Sequence, residues 1–363
     1  MHSGMAKVLT KCDIIIWDEC TMAHKHSLEA LNRTLKDLKR NDRLFGGALI
    51  LLAGDFRQTL PVITRSTYAD EINACLKASP LWRSVHTLQL TTNMRVHLQN
   101  DPSASRFSQQ LLDIGNGKMS INPTSQTIKL PEDFCNIMPS KDALIDNVFP
   151  NIRTNINNYE WLSERAILAA KNIDVDAMNL HIQNLLENEP ISFQSIDTVV
   201  KENEAVNFPT EFLNSLDLPG LPPHNLQLKI GSPIILLRNL NAPKLCNGTR
   251  LVVKKISGHI IGAVIITGKF KGEEVLLPRI PMIPNDSLIE FKRLQFPVRL
   301  AFAMTINKAQ GQSMKICGLD LENACFSHGQ LYVACSRVGK PKDLFVFAQN
   351  GQTKNIVHQL ALQ

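Results

Sequence analysis

The chain has 363 residues, 44% of them hydrophobic, with 39 Lys and Arg against 33 Asp and Glu for a net charge of +6. That is enough apolar material for an ordinary core spread over two or three domains, and no repeat or low-complexity tract interrupts it. No run reaches the roughly 18 to 20 uninterrupted apolar residues of a membrane span, and residues 1–12 lack the apolar centre of a signal peptide. The eight cysteines show no C-x-x-C pairing, so reduced thiols in an intracellular compartment are expected and a structural zinc site is not. The mild positive charge suits a nucleic-acid partner without requiring one.

In chain order, "IIIW" (14–17) is a continuous apolar run ending in Asp18 and Glu19, and "ALILLAGDF" (48–56) is a second such run ending in Gly54 and Asp55. Leu28, Leu31, Leu35 and Leu38 space one face of a helix between them. Continuous rather than alternating apolar strands predict burial on both faces of a parallel sheet, whose ligands bind at the carboxyl ends of the strands. "DPSASRFSQQLLDIGNG" predicts a helix with a glycine stop, followed by a Pro- and Asn-rich stretch with no clear period. "RAILAA" (165–170) predicts another buried strand, then an Asp-rich cap and a helix over 176–187. Between 196 and 292 the texture changes to short β-rich runs such as "SPIILLRNL", "TRLVVKKI", "HIIGAVIITG" and "EEVLLPRI", as expected for an inserted small barrel or sandwich. "VRLAFAMTINKAQGQ" (298–312) and "LYVACSRV" (331–338) predict a return to α/β structure.

Adjacent carboxylates after a buried strand can divide labour, Asp18 holding Mg²⁺ through water and Glu19 taking a proton from an attacking water. An isolated Asp-Glu pair more often only solvates a strand end. Here "GDFRQTLPV" follows the neighbouring strand, so Gln58 can approach the same crevice, since parallel strands end side by side. "LTTNMR" ends in Arg95 and "YVACSRV" contains Arg337, guanidinium groups of the kind that neutralise a transferring phosphoryl group. "TINKAQGQ" sets hydroxyl, amide and ammonium donors beside a glycine, a combination suited to a phosphodiester backbone.

This ordered series, with "LKIGSPIILLRNLN" and "LCNGTRLVV", resembles the Pif (petite integration frequency) family of superfamily-one DNA helicases, most of all the branch of eukaryotic genomes and Helitron rolling-circle transposons. The resemblance implies an α/β, P-loop NTPase-type fold with tandem RecA-like lobes and a small β-barrel insert. Its expected boundaries are 1–93 for an incomplete first lobe, 94–195 and 293–363 for the second lobe, and 196–292 for a Src-homology-3-like barrel. It assigns Asp18 to magnesium and Glu19 to the base. Gln58, Gly54, Asp55 and Gly311 are assigned to the nucleotide, Arg95 and Arg337 to the phosphoryl charge, and Thr305, Lys308 and Gln310 to DNA. The implied cofactors are ATP and Mg²⁺, and the implied partners are single-stranded DNA and duplex junctions, with no membrane. Movement 5′ to 3′, roles in DNA repair, recombination, telomere maintenance or Helitron transposition, and a nuclear or mitochondrial address follow from the resemblance alone.

One departure stands out. No G-x-x-x-x-G-K-[ST] phosphate loop occurs in the sequence, and the nearest string, "LLDIGNGKMS", has Leu112 at the first glycine position and Met119 where Ser or Thr belongs. It reads as a helix C-cap. "MHSGMAKVL" resembles a helix from the middle of the first lobe, so the expectation is an N-terminally truncated lobe that hydrolyses ATP weakly or not at all. A truncated gene or decayed transposon copy would give the same string. The competing reading is a non-enzymatic single-stranded-DNA-binding remnant; a magnesium nuclease lacks a second acid cluster.

Overall fold

The computed structural model describes residues 4–63, 67–92, 102–200, 207–284 and 289–363. One of the two five-stranded sheets among these described residues runs in the order Ala303–Thr305, Arg165–Ala169, Ile316–Asp320, Leu344–Phe347, Asn136–Ile137, every neighbouring pair parallel. All five residues of the central strand Arg165–Ala169 are buried, as its unbroken apolar run predicts. Ala166 and Leu168 pack into one core with Phe107 and Ile114 of helix Pro102–Gly115 and with Val333. Ile167 and Ala169 face the other, with Leu144 and Val148 of helix Lys141–Val148 and Val175, Met178 and Ile182 of helix Asn172–Asn184. The latter helix begins at Asn172 rather than 176, so Asp174 lies in its first turn, where a carboxylate complements the helix dipole. Helix Pro102–Gly115 does end in a C-cap: Lys118 N–H donates to the Asp113 carbonyl at 2.8 Å, and Gly117 takes φ +67°.

A smaller parallel pair, Ile14–Trp17 with Leu49–Leu52, carries the two acidic turns. Helix Lys25–Lys39 lies between the two strands in sequence, and Leu28, Cys20, Leu76, Trp17 and Leu52 pack together as one small core. The expected burial on both faces does not hold. Ile14, Ile16, Leu49 and Leu51 are all more than half exposed, because alternate side chains of a two-stranded sheet point to a face that no described element covers.

The β-rich segment forms an antiparallel sheet in the order Glu274–Pro278, Ile260–Ile265, Arg250–Ile256, Pro233–Leu236, Val298–Leu300. Smaller sheets of three strands (Ile280–Met282, Phe291–Gln295, Ile196–Val199) and two (Ile191–Gln194, Asn225–Leu228) adjoin it in sequence. Among the described residues these pairings form separate sheets, not one continuous ring. Strand Val298–Leu300 pairs with Pro233–Leu236, so this sheet extends past 292; only Ala301 and Phe302 separate it from strand Ala303–Thr305 of the parallel sheet. Two buried arginines fix these joins. Arg250 donates to the carbonyls of Leu162, Ser163 and Arg165 at the start of the central parallel strand, and burial pulls its guanidinium down to about 10. Arg293 pairs with Asp197 at 2.7 Å while also donating to the carbonyls of Leu213, Leu216 and Pro222.

Candidate functional site

The first acidic turn is held in an uncommon backbone conformation. Glu19 lies in the left-handed region at φ 50°, ψ 37°, which costs a non-glycine residue of order 1–3 kcal/mol and persists only where the surroundings enforce it. They do so here through Ala53 N–H to Trp17 O at 2.9 Å, Cys20 N–H to Ala53 O at 3.0 Å, and the Glu19 N–H donated to Asp18 Oδ1 at 2.9 Å. Gly54 is required at this join, since a Cβ there would stand 2.9 Å from Thr21 Cγ2. The turn points the Glu19 carboxylate at the loop after strand Ala303–Thr305: Gln310 Nε2 donates to Glu19 Oε2 at 3.1 Å, and Thr59 Oγ1 donates to Gln310 Oε1 at 2.5 Å. Gly311 follows at φ +76°, with its Cβ position 3.6 Å from Glu19 Oε1. A single hydrogen-bonded chain thus joins residues more than 250 positions apart.

Gln58, one residue before Thr59, has a buried Oε1 without a hydrogen-bond partner. A buried amide oxygen in that state costs about 1–3 kcal/mol unless something donates to it, so it suits a ligand or water proton. The Asp55 carboxylate bonds within its own turn and to Tyr332. Its Oδ1 accepts the Arg57 N–H at 3.0 Å, and its Oδ2 accepts the Tyr332 hydroxyl at 2.9 Å. Burial and the neighbouring Asp55 charge push the Tyr332 phenol up to about 12.

Arg337 is buried and its donors are committed: Nε to Val333 O at 2.7 Å, Nη1 to Ala309 O at 3.2 Å and to Gln312 O at 2.9 Å, Nη2 to Ser336 Oγ at 2.7 Å. In this conformation it anchors the loop that presents Gln310 and Gly311. Arg95 lies outside the described residues. Thr305 closes the strand Ala303–Thr305, and the exposed Lys308 reaches Asn247 Oδ1 at 3.3 Å, so the same loop also touches the β-rich segment. Partial desolvation and the nearby Arg238 charge lower the Lys308 ammonium below the usual lysine value. Gln310, expected to contact DNA, donates to the Glu19 carboxylate in this structure.

Sequence reading missed the residues that dock the Asp55–Gln58 turn onto the segment before helix Gln330–Cys335. His328 donates from Nε2 to Phe56 O at 2.7 Å, and a Cβ on Gly329 would stand 2.3 Å from Arg57 O. The available signal was "SHGQLY", a glycine between polar residues just before a predicted buried element.

As a metal site, the arrangement offers one exposed carboxylate, Asp18, and the described residues contain no group of three or more His, Cys, Asp or Glu side chains able to hold an ion. That donor set fits Mg²⁺, which keeps most of its waters and needs only one or two carboxylates beside substrate phosphates. As a nucleotide site, the residues fit the terminal-phosphate and water side, while the backbone cradle for the other phosphates has no counterpart in this sequence. No helix among the described residues is long and apolar enough to cross a membrane.

Comparison with known proteins agrees with this layout. Residues 1–125 match the family model described as PIF1-like helicase, and residues 211–256 match that of the DNA helicase Pif1 2B domain. The ATP-dependent DNA helicase PIF1 of Danio rerio is 26% identical over 335 residues, covering 92% of this chain and 46% of that protein. The ATP-dependent DNA helicase Pif1 of Campylobacter jejuni is 25% identical, covering 95% of this chain and 71% of its own length. The chain spans about half the length of most of the curated relatives it matches. Among solved structures, Pif1 helicase from Candida albicans superposes with a TM-score of 0.65 at 22% identity, covering 98% of this chain and 77% of the other. Pif1 helicase from Bacteroides, in complex with ADP-AlF3 and single-stranded DNA, gives 0.70 at 20%, covering all of this chain and 76% of the other. These likenesses establish the α/β fold with its RecA-like parallel sheet.

Proposed function

We propose that this chain is a PIF1-like helicase, as the family-model matches over residues 1–125 and 211–256 support, and that it forms the acid-pair side of the first lobe, and the second lobe, of an ATP-driven DNA helicase. The observation that carries this reading is the Gln310–Glu19 hydrogen bond, which ties the loop suited to DNA contact directly to the carboxylate suited to activating water. In the proposed cycle Asp18 would hold Mg²⁺ through water, and the bound ion would supply charge neutralisation at the phosphates. Glu19 accepts a proton from the attacking water, and the orphaned Gln58 Oε1 accepts a hydrogen bond from the water's other O–H and so orients it. Occupying Glu19 with a water would release Gln310, so the state of the nucleotide site reaches Thr305, Lys308 and the DNA. Arg337 would act by holding that loop, and Arg95 by contributing charge to the phosphoryl group. Single-stranded DNA and duplex junctions are the proposed partners, with 5′ to 3′ movement and a nuclear or mitochondrial address carried by family likeness.

Residues 1–363 contain no phosphate loop, and each charge-assisted bond such a loop makes is worth about 1.5–3 kcal/mol. These residues by themselves therefore bind single-stranded DNA but turn ATP over slowly or not at all. Fluorescence anisotropy with an oligo-dT strand, from 50 to 200 mM salt, tests the first half: affinity should fall with salt, and Lys308→Ala should lower the logarithmic salt slope by about one. Absence of binding would remove the DNA assignment. DNA-stimulated phosphate release that Glu19→Gln abolishes would show that the 363 residues are a competent ATPase as they stand.

A further inference from the structure

The Asp55–Gln58 turn carries the orphaned amide of the proposed site, and three consecutive features of the second lobe grip it. His328 is 1% exposed and sits between two backbone groups. Its Nδ1 accepts the His358 N–H at 2.8 Å. Its Nε2 lies 2.7 Å from the Phe56 carbonyl oxygen. A backbone N–H can only donate and a carbonyl can only accept, so the ring must be neutral with its proton on Nε2. Gly329, at φ +72°, lets the backbone approach Arg57 and Gln58 where any Cβ would collide. Tyr332 holds the Asp55 carboxylate.

We propose that His328 is a positioning residue: in its neutral form it clamps the Asp55–Gln58 turn of the first lobe to the second, and its protonation releases that turn. The function of Gln58 rests on the helicase reading; the clamp itself does not. A second ring proton would sit on Nδ1 and face the His358 N–H, replacing a hydrogen bond by the approach of two donors. The titratable groups facing the ring are His358, stacked on it at 5.1 Å, Glu71, which pairs with His358 Nε2 at 2.8 Å, and Asp55. Tyr68 covers His358 edge-on at 4.5 Å. Burial lowers the ring below the ordinary histidine value of 6.5, and His358 adds to this, while the Phe56 carbonyl, Glu71 and Asp55 oppose it.

The sign follows from linkage. The clamped state disfavours the proton and the released state accepts it near 6.5, so the clamp is at full strength above that pH and weakens as pH falls below it. Backbone hydrogen exchange over residues 53–59 of the 363-residue protein, corrected for intrinsic chemistry and run without nucleotide or DNA, reads this directly. Opening should rise by up to about tenfold per pH unit below the ordinary histidine value. His328→Gln, whose amide can donate to Phe56 without titrating, should flatten that profile, and His328→Ala should raise exchange at every pH. A flat profile in the unsubstituted protein, or one unchanged by His328→Gln, overturns the clamp. Long-range nitrogen NMR of the unsubstituted protein gives an independent check, since finding the His328 proton on Nδ1 at neutral pH would also overturn it. Neither readout uses DNA or nucleotide, so loss of the helicase reading in the oligo-dT assay would leave the clamp standing, and a flat exchange profile with intact DNA binding would remove the clamp alone.

Discussion

Ile167 and Leu168, in the middle of the five-stranded sheet, are sealed from water, whereas Ile16 and Leu49, from runs of the same apolar texture, are 69% and 63% exposed. Strand composition is therefore not what buries a strand; neighbours on both faces are. In the five-stranded parallel sheet, helices from both sides supply them. In the two-stranded pair the described residues supply cover on one face only. The functional consequence is that the acid pair stands at the end of the less supported sheet, its backbone held by local bonds and its Glu19 carboxylate met by Gln310 of the 305–311 loop.

The comparison breaks if core truncations cost the same in both sheets. Leu168→Ala should destabilise by about 2–5 kcal/mol in urea denaturation, the usual penalty for emptying a sealed leucine site, while Leu49→Ala should cost well under half as much. Equal losses would mean that the outer face of the pair is covered in solution. The covered side of the two-stranded pair can be probed at Gly46, where φ is +63° and a Cβ would stand 2.6 Å from Leu35 O of helix Lys25–Lys39. Gly46→Ala should cost at least about 1–2 kcal/mol through left-handed backbone strain alone; a neutral result would mean that this corner is loose. Thr67 caps helix Tyr68–Ala74 by a reciprocal capping box, so Thr67→Ala should cost about 1 kcal/mol and loosen the helix that carries Glu71. The smallest effect belongs to the open face: Ile16→Ser should change stability by no more than about 0.5 kcal/mol and reduce self-association in light scattering.

Much of this architecture was legible in the sequence. The runs at 14–17, 49–52 and 165–169 are strands, and the string around Gly117 is a helix stop, because burial-type runs and left-handed glycines are local signals. What could not be read was how many neighbours each strand would have, and hence which faces stay open. The switch at Ala301–Phe302 was also hidden, since "VRLAFAMT" gives no mark where an antiparallel partner is exchanged for a parallel one. In the candidate site, the acid pair and the loop at 305–311 were each visible as motifs. That Gln310 would meet Glu19, or His328 the carbonyl of Phe56, depends on contacts spanning 291 and 272 positions, which no local pattern encodes.

The central claim is that the acid pair and the 305–311 loop, far apart in sequence, form one hydrogen-bonded site. A double-mutant cycle on Glu19→Ala and Gln310→Ala, read by urea denaturation of residues 1–363, tests it most directly. The account predicts that the two losses fail to add, with a coupling of about 0.5–3 kcal/mol. Losses that add to within about 0.3 kcal/mol would contradict it.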